Sequence, residues 1–143
     1  MNKESLRVLL VEDEALIALN LEQLMEELGW EVTGVAASSA QAMALAEQTP
    51  PDLAVVDVNL VDGRTGLAVA ERLAVRFGVM VVIATANPED VKVGGHVIAV
   101  VRKPYSDAAL MAQMREAARA VTHARSRPVA LARAPLERAN GGS

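Results

Sequence analysis

No cysteine occurs among the 143 residues, which excludes a disulfide framework, a thiolate metal site and a cysteine nucleophile. Nothing then argues for secretion, and a cytoplasmic address is expected. Aromatic side chains amount to 2%, namely Trp30, Phe77 and Tyr105, too few for the stacking platforms that hold single-stranded nucleic acid. The core must be built from Leu, Val, Ile, Ala and Met. Long apolar runs are missing as well. Val79 to Ala84 and Val97 to Val101 fall far short of the roughly 20 residues a membrane span needs, and the first residues lack the pattern of a signal peptide, so neither span nor leader is expected. Basic charge is scarce over most of the chain. The first 124 residues hold 10 basic and 17 acidic side chains, a body expected to repel nucleic acid, whereas residues 125–143 carry four arginines against Glu137. Chain length and a hydrophobic content of 52% fit one soluble globular domain.

Five short runs rich in β-branched residues, Leu6 to Val11, Glu31 to Ala36, Leu53 to Asp57, Val79 to Thr85 and Val97 to Val101, alternate with longer stretches of helical period. That alternation predicts a parallel sheet flanked by helices. The helical stripes are Ile17, Leu21, Leu24, Leu28; then Leu67, Ala70, Ala74, Phe77; and last Leu110, Met114, Ala117, Val121. Ser38 with Gln41 reads as a capping box, Ser106 as a helix start, and Gly29 as the stop of the first helix. In the fourth unit Asn87-Pro88 opens a helix that Gly94-Gly95 stops within about two turns, predicting a short, mobile element. Periodicity fades after about Thr122. Residues 1–123 are thus read as one domain and 124–143 as a flexible Ala-, Arg- and Pro-rich tail. The expected fold is a flavodoxin-like, doubly wound (βα)5 with strand order 2-1-3-4-5.

In such sheets ligands bind beyond the carboxyl ends of the strands, where the order reverses. The first strand ends in Glu12-Asp13-Glu14, the third in Asp57 and the fourth in Thr85, and the fifth runs into Lys103-Pro104. The predicted order brings them to one crevice. Crowded carboxylates repel unless a hard cation holds them, and Mg²⁺ accepts a few oxygen ligands while keeping several waters. An aspartate beside that ion can attack a phosphoryl group and form an acyl phosphate, with Thr85 and Lys103 holding the remaining oxygens. Taken singly, Asp57 is an ordinary strand-end carboxylate, the acids after the first strand complement a helix dipole, and Thr85 and Lys103 are unremarkable. Their convergence on one crevice is what sets them apart from those ordinary roles. His96 and His123 pair with nothing that suggests a metal or phosphohistidine site, and Trp30 reads as a packing residue.

From Leu6 to about His123 the sequence resembles the receiver domain of two-component response regulators. The matching motifs are Val11-Glu12-Asp13-Glu14, Val56-Asp57-Val58-Asn59-Leu60 with Asp62-Gly63, Ala84-Thr85-Ala86, and Lys103-Pro104-Tyr105. The resemblance implies a stand-alone single-domain response regulator with Asp57 as phosphoacceptor. Asp13 and Asp57 would hold Mg²⁺ directly, Glu12 partly through water, and Asn59 through its backbone carbonyl. Thr85 would be the switch hydroxyl, Ala86 the small residue that leaves the phosphoryl group room, and Lys103 its ammonium partner, with the Lys103–Pro104 bond cis. One position departs from the pattern: Val100 stands where the family commonly carries the aromatic ring that swings inward on switching. An Ala-Thr motif without that ring resembles variant receivers of alphaproteobacterial stress signalling. Val61 replaces a common proline, and Gly94-Gly95 offers the fourth helix as another moving part. The short amides Asn59 and Asn87 flank the path of attacking water, so a phosphoryl lifetime of seconds to minutes is expected.

The implied partners are a sensor histidine kinase or a histidine phosphotransfer protein, and a downstream protein that the sequence does not name. Too few residues follow the domain for an output domain, so control is expected to act through protein contacts. Phosphorylation-dependent homodimerisation is left open. The tail arginines offer only phosphate contacts, and no dedicated nucleic-acid-binding domain is expected. Other classes fit less well. A flavodoxin-like cofactor binder would need a Ser/Thr/Gly loop after the first strand, where Glu12-Asp13-Glu14 would repel phosphate. A haloacid-dehalogenase-type phosphohydrolase would place its nucleophile on the first strand. The remaining alternatives keep the fold, as a constitutive binding module or a phosphate sink. No metabolic enzyme is expected, only catalysis of the chain's own phosphorylation and dephosphorylation.

Overall fold

The computed structural model describes residues 5–126. Five strands, β1 (Arg7–Val11), β2 (Glu31–Ala36), β3 (Leu53–Asp57), β4 (Met80–Thr85) and β5 (Val97–Arg102), form one parallel sheet in the order β2-β1-β3-β4-β5. Four helices, α1 (Ala15–Glu27), α2 (Ser39–Gln48), α3 (Gly66–Phe77) and α4 (Asp107–Ser126), cover its two faces. Because successive strand residues point to opposite sides, each strand feeds two cores. Leu9, Val11, Ala54, Val56, Val81 and Ile83 pack with Ala42 and Ala46 of α2 and Val69, Ala70 and Leu73 of α3. Val8, Leu10, Leu53, Val55 and Val82 pack with Leu21, Leu24 and Met25 of α1 and Leu110, Met114, Ala117 and Val121 of α4. Burial of each large aliphatic side chain stabilises by roughly 1.5–3 kcal/mol, and because all five strands run parallel their carboxyl ends, with the polar residues that follow them, fall at one edge of the sheet.

The predicted strands agree with the observed ones to within a residue at each end, as does Gly29, whose φ of +82° follows the last turn of α1. Three features differ from expectation. Where a fourth α-helix was predicted, Pro88–Asp90 forms a single 3-10 turn, so the five-unit pattern has four α-helices. Val91 and Val93 are β-branched and poor continuers, and Gly94 and Gly95 both take positive φ, so no helix propagates past Asp90. In α3 the inward stripe is Gly66, Val69, Ala70 and Leu73, while Leu67 is exposed. Gly66 abuts the backbone of Asp57, and that contact sets the helix rotation. Finally, α4 continues to Ser126, so residues 124–126 of the expected tail are helical. The rest of that segment lies outside the described residues.

The α2 cap also differs in detail. Ser38 Oγ accepts from the Gln41 N–H at 3.2 Å, but the Gln41 side chain reaches past the cap to accept from Ala37 N–H at 2.7 Å. At the start of α4, Ser106 Oγ accepts from the Ala109 N–H. No helix among the described residues is long and apolar enough to cross a membrane.

Candidate functional site

The carboxyl ends of β1, β3, β4 and β5 meet above the sheet. Backbone bonds carry each strand's grip one step beyond its last residue: Glu12 N–H donates to Ala36 O at 2.8 Å, Val58 N–H to Ala84 O at 3.2 Å, and Lys103 N–H to Thr85 O at 2.8 Å. The polar side chains are thereby fixed while the chain turns away. Among the described residues the buried polar or charged ones are Glu12, Asp57 and Thr85. All three lie at this edge, and burial of such groups needs partners.

Asp57 has them. Its Oδ2 lies 2.9 Å from Lys103 Nζ, and its Oδ1 accepts from the Asn59 N–H at 3.2 Å. Lys103 Nζ also stands 3.7 Å from Glu12 Oε1, and Glu12 Oε2 accepts from the Glu14 N–H at 3.2 Å. Carboxylate oxygens of Glu12, Asp13 and Asp57 lie within 4.8 Å of one another. Burial, reinforced by the charge of Asp57, pushes the Glu12 carboxyl up to about 7. Burial works against the Lys103 ammonium, but the hydrogen bond to Asp57 and the charges of Glu12 and Asp57 hold it above its ordinary value. Three acids against one ammonium leave an excess of negative charge, and an all-oxygen donor set of this kind fits Mg²⁺. A bound Mg²⁺ would supply charge neutralisation for transferring phosphoryl oxygens.

A cavity of about 240 Å³, lined by Asp13, Glu14, Asp57, Asn59, Ala86 and Lys103, opens over the Asp57 carboxylate. Of the predicted residues, Asp13, Asp57, Asn59, Ala86 and Lys103 line this cavity, and Glu12 joins them through its carboxylate beside Asp13 and Asp57. Thr85 is buried beneath this wall; its Oγ1 accepts from the Asn87 N–H at 3.1 Å, and Ala86 is the residue that faces the cavity. Pro104 follows a cis peptide bond. Tyr105 is half-buried against the α1–α4 core, and burial, with the Glu12 charge, pushes its phenol up to about 12. Val100 packs against the α2–α3 core.

Two residues outside the sequence reading shape the site. A Cβ on Gly66 would lie 2.0 Å from the Asp57 carbonyl oxygen and 2.7 Å from Val58 Cα, so only glycine lets α3 seat against the end of β3. Arg102, the last residue of β5, donates from Nη1 to Ala86 O at 3.2 Å, and its Nη2 is 3.6 Å from Glu89 Oε1. Asp62, noted only as part of a turn motif, accepts from Ser39 N–H and Oγ–H at 3.2 and 2.6 Å and from Thr65 Oγ–H at 2.7 Å. Those bonds tie the β3–α3 loop to α2 and hold the Asp62 carboxyl down to about 2.

Fold and site define a signalling receiver. The chain belongs to the response regulator receiver domain family, whose model matches residues 8–115. Over 83 residues it is 42% identical to the phyllosphere-induced regulator PhyR of Methylorubrum extorquens, a stretch covering 57% of this chain and 31% of that protein. It is 39% identical over 80 residues to the transcriptional regulatory protein PdtaR of Mycobacterium tuberculosis, covering 56% and 38%. The match therefore spans about a third of these curated relatives. Among solved structures, the receiver domain of Erythrobacter litoralis PhyR superposes with a TM-score of 0.72 at 33% identity, covering 79% of this chain and 89% of that one. A CheY-like receiver domain from Methanospirillum hungatei, at 22% identity and a TM-score of 0.69, shares the fold.

Proposed function

We propose that this receiver accepts a phosphoryl group on Asp57 from a phosphohistidine donor, a histidine kinase or phosphotransfer protein, and switches its contacts with a downstream protein. The observation that carries the reading is Asp57 itself: a buried carboxylate held 2.9 Å from Lys103 Nζ, beside two further acids, at the floor of an open cavity. One Asp57 carboxylate oxygen attacks phosphorus, the phosphorus–nitrogen bond of the donor breaks, and the imidazole leaves with the electron pair. Lys103 moves from the Asp57 oxygen to a phosphoryl oxygen, exchanging one charge-assisted hydrogen bond for another. Glu12, Asp13, Asp57 and the Asn59 carbonyl would hold Mg²⁺. The Thr85 hydroxyl would donate to the phosphoryl group after turning toward the cavity.

An apolar cavity of about 430 Å³ adjoins the site, lined by Leu16, Ile17, Asn20, Lys103, Pro104 and Tyr105, with Leu16 80% exposed. A donor helix seated there would bring its imidazole to Asp57 while covering Leu16. The PhyR likeness favours stress signalling through a protein partner, since solved PhyR proteins include one described as a stress response regulator and one described as an anti-anti-sigma factor.

The test is intact-protein mass after incubation with acetyl phosphate. A single phosphoryl adduct that requires Mg²⁺ and is absent from Asp57→Asn is expected. Absence of an adduct with both acetyl phosphate and phosphorylated donor proteins would leave the constitutive binding module as the reading.

A further inference from the structure

Arg102 is exposed and immediately precedes Lys103, yet its guanidinium turns back across the end of β4. In the sheet register it is paired with Thr85. One arm donates to Ala86 O at 3.2 Å, and the other faces Glu89 at 3.6 Å across the 3-10 turn. Ala86 forms the cavity wall, and the Asn87 N–H holds the Thr85 hydroxyl. The segment is held at its two ends, by Lys103 N–H to Thr85 O at 2.8 Å and by Val91 packed against the α2–α3 core, and between them the turn is a single one, closed by Asp90 N–H to Asn87 O and Val91 N–H to Pro88 O. Where a full helix would anchor this segment through its own length, here a side chain from β5 spans it.

We propose that Arg102 is a positioning residue, a latch that fixes the Ala86–Glu89 wall and keeps the Thr85 hydroxyl turned to Asn87 in the resting receiver. The inference rests on the phosphoacceptor reading for its consequence, but its geometry stands without it. A planar guanidinium suits the role because its fork grips a carbonyl and a carboxylate at once, whereas an ammonium supplies a point charge. Glu89 adds an exposed ion pair, which is weak alone and screened by salt. The Ala86 bond is the principal tie. Releasing the latch lets the wall and Thr85 sample the site-facing arrangement more often, and a phosphoryl mimic gains affinity by the factor through which that population rises.

Two measurements on the full chain separate this from a merely structural role. The first is amide hydrogen exchange in the unphosphorylated protein. Arg102→Ala is expected to speed exchange at Asn87, Asp90 and Val91 by about two- to tenfold, the range of one exposed charge-assisted bond, with core amides such as Ala54 unchanged. Arg102→Lys should fall between, and Glu89→Gln should give a smaller effect that high salt abolishes. The second is titration with beryllofluoride and Mg²⁺, with the Thr85 side-chain rotamer followed by NMR couplings. Arg102→Ala is expected to shift the resting Thr85 rotamer and to bind beryllofluoride about two- to tenfold more tightly. Unchanged exchange at the three amides, or an unchanged Thr85 rotamer, overturns the latch. So does weaker beryllofluoride binding by the variant. If the parent protein binds no beryllofluoride, the phosphoacceptor reading fails instead, and exchange together with the ligand-free Thr85 rotamer decides the latch.

Discussion

Replacing Gly66 by alanine sets two magnitudes against each other. Helix propensity favours the change, by up to about 1 kcal/mol for alanine over glycine in a helix interior and by less at Gly66, the first residue of α3. Packing opposes it. The added carbon would sit 2.0 Å from the Asp57 carbonyl oxygen and 2.7 Å from Val58 Cα. Relief requires α3 or the end of β3 to retreat by more than about 1 Å, since non-bonded heavy atoms settle near 3.5–4.0 Å. Both partners are backbone, so no rotamer can yield, and the Gly66 N–H to Val58 O bond at 2.9 Å must stretch with them. Overpacking costs typically 1–3 kcal/mol and occasionally more, and a 2.0 Å approach to backbone that cannot yield falls at or above the top of that range, so after the small propensity gain is subtracted a net loss of about 2–3 kcal/mol is expected. Urea unfolding should show the midpoint falling by roughly 1–2 M. The displaced carboxylate should also accumulate phosphoryl groups from acetyl phosphate about 10- to 100-fold more slowly, under conditions where the variant is folded. Gly78→Ala is the comparison: its φ is +69° with nothing near its Cβ, so it should cost about 1–2 kcal/mol of backbone strain and leave phosphorylation unaltered. A Gly66→Ala protein as stable as the parent, or one phosphorylated at the parental rate, would refute the close-approach argument.

Glu12 makes the metal-free protein pH-sensitive. Its folded-state pKa lies near 7, above the ordinary 4.5, so the folded state holds the proton longer and stability falls as pH rises from about 4.5 to about 7. Mg²⁺ should flatten that slope by favouring the carboxylate, and Glu12→Gln should remove it; a melting temperature independent of pH across the window, without Mg²⁺, would contradict the assignment. Asp62 has the opposite sign: its carboxyl is held near 2, so the tie to Ser39 and Thr65 is present above about 4 and is lost as pH falls through 2. Asp62→Asn should lower the melting temperature by a few degrees at neutral pH and much less at pH 2, as read by thermal unfolding. Bulky or charged replacements at Asn59 and Asn87 should lengthen the phosphoryl half-life, measured by decay of the adduct mass; an unchanged half-life would remove both from the path of attacking water.

Strand ends were the legible part of this sequence. Runs such as Leu53 to Asp57 are apolar on both faces and stop at a charged residue, so periodicity and composition locate both the strand and the polar group it delivers. The strand order by itself brings Glu12, Asp13, Asp57 and Lys103 to one edge. What escaped depends on contacts between elements distant in sequence. The rotation of α3 follows from the glycine that meets Asp57, and a stripe drawn through Leu67 and Ala74 is offset from the buried one through Val69 and Leu73. Gly94-Gly95 alone predicts a short fourth helix, but its reduction to one turn reflects Val91, Val93 and two positive-φ glycines acting together. Arg102 gave no signal at all, because a lone strand-end arginine is ordinary until the loop it grips is seen.

The most direct test of the central claim is to trap the acyl phosphate chemically. After incubation with acetyl phosphate and Mg²⁺, borohydride reduction converts a phosphorylated aspartate to homoserine, and peptide mass spectrometry locates the change. Conversion at residue 57 alone is predicted. Conversion at Glu12 or Asp13, or at no carboxylate while a phosphoryl adduct is present, would contradict the assignment of Asp57 as the acceptor.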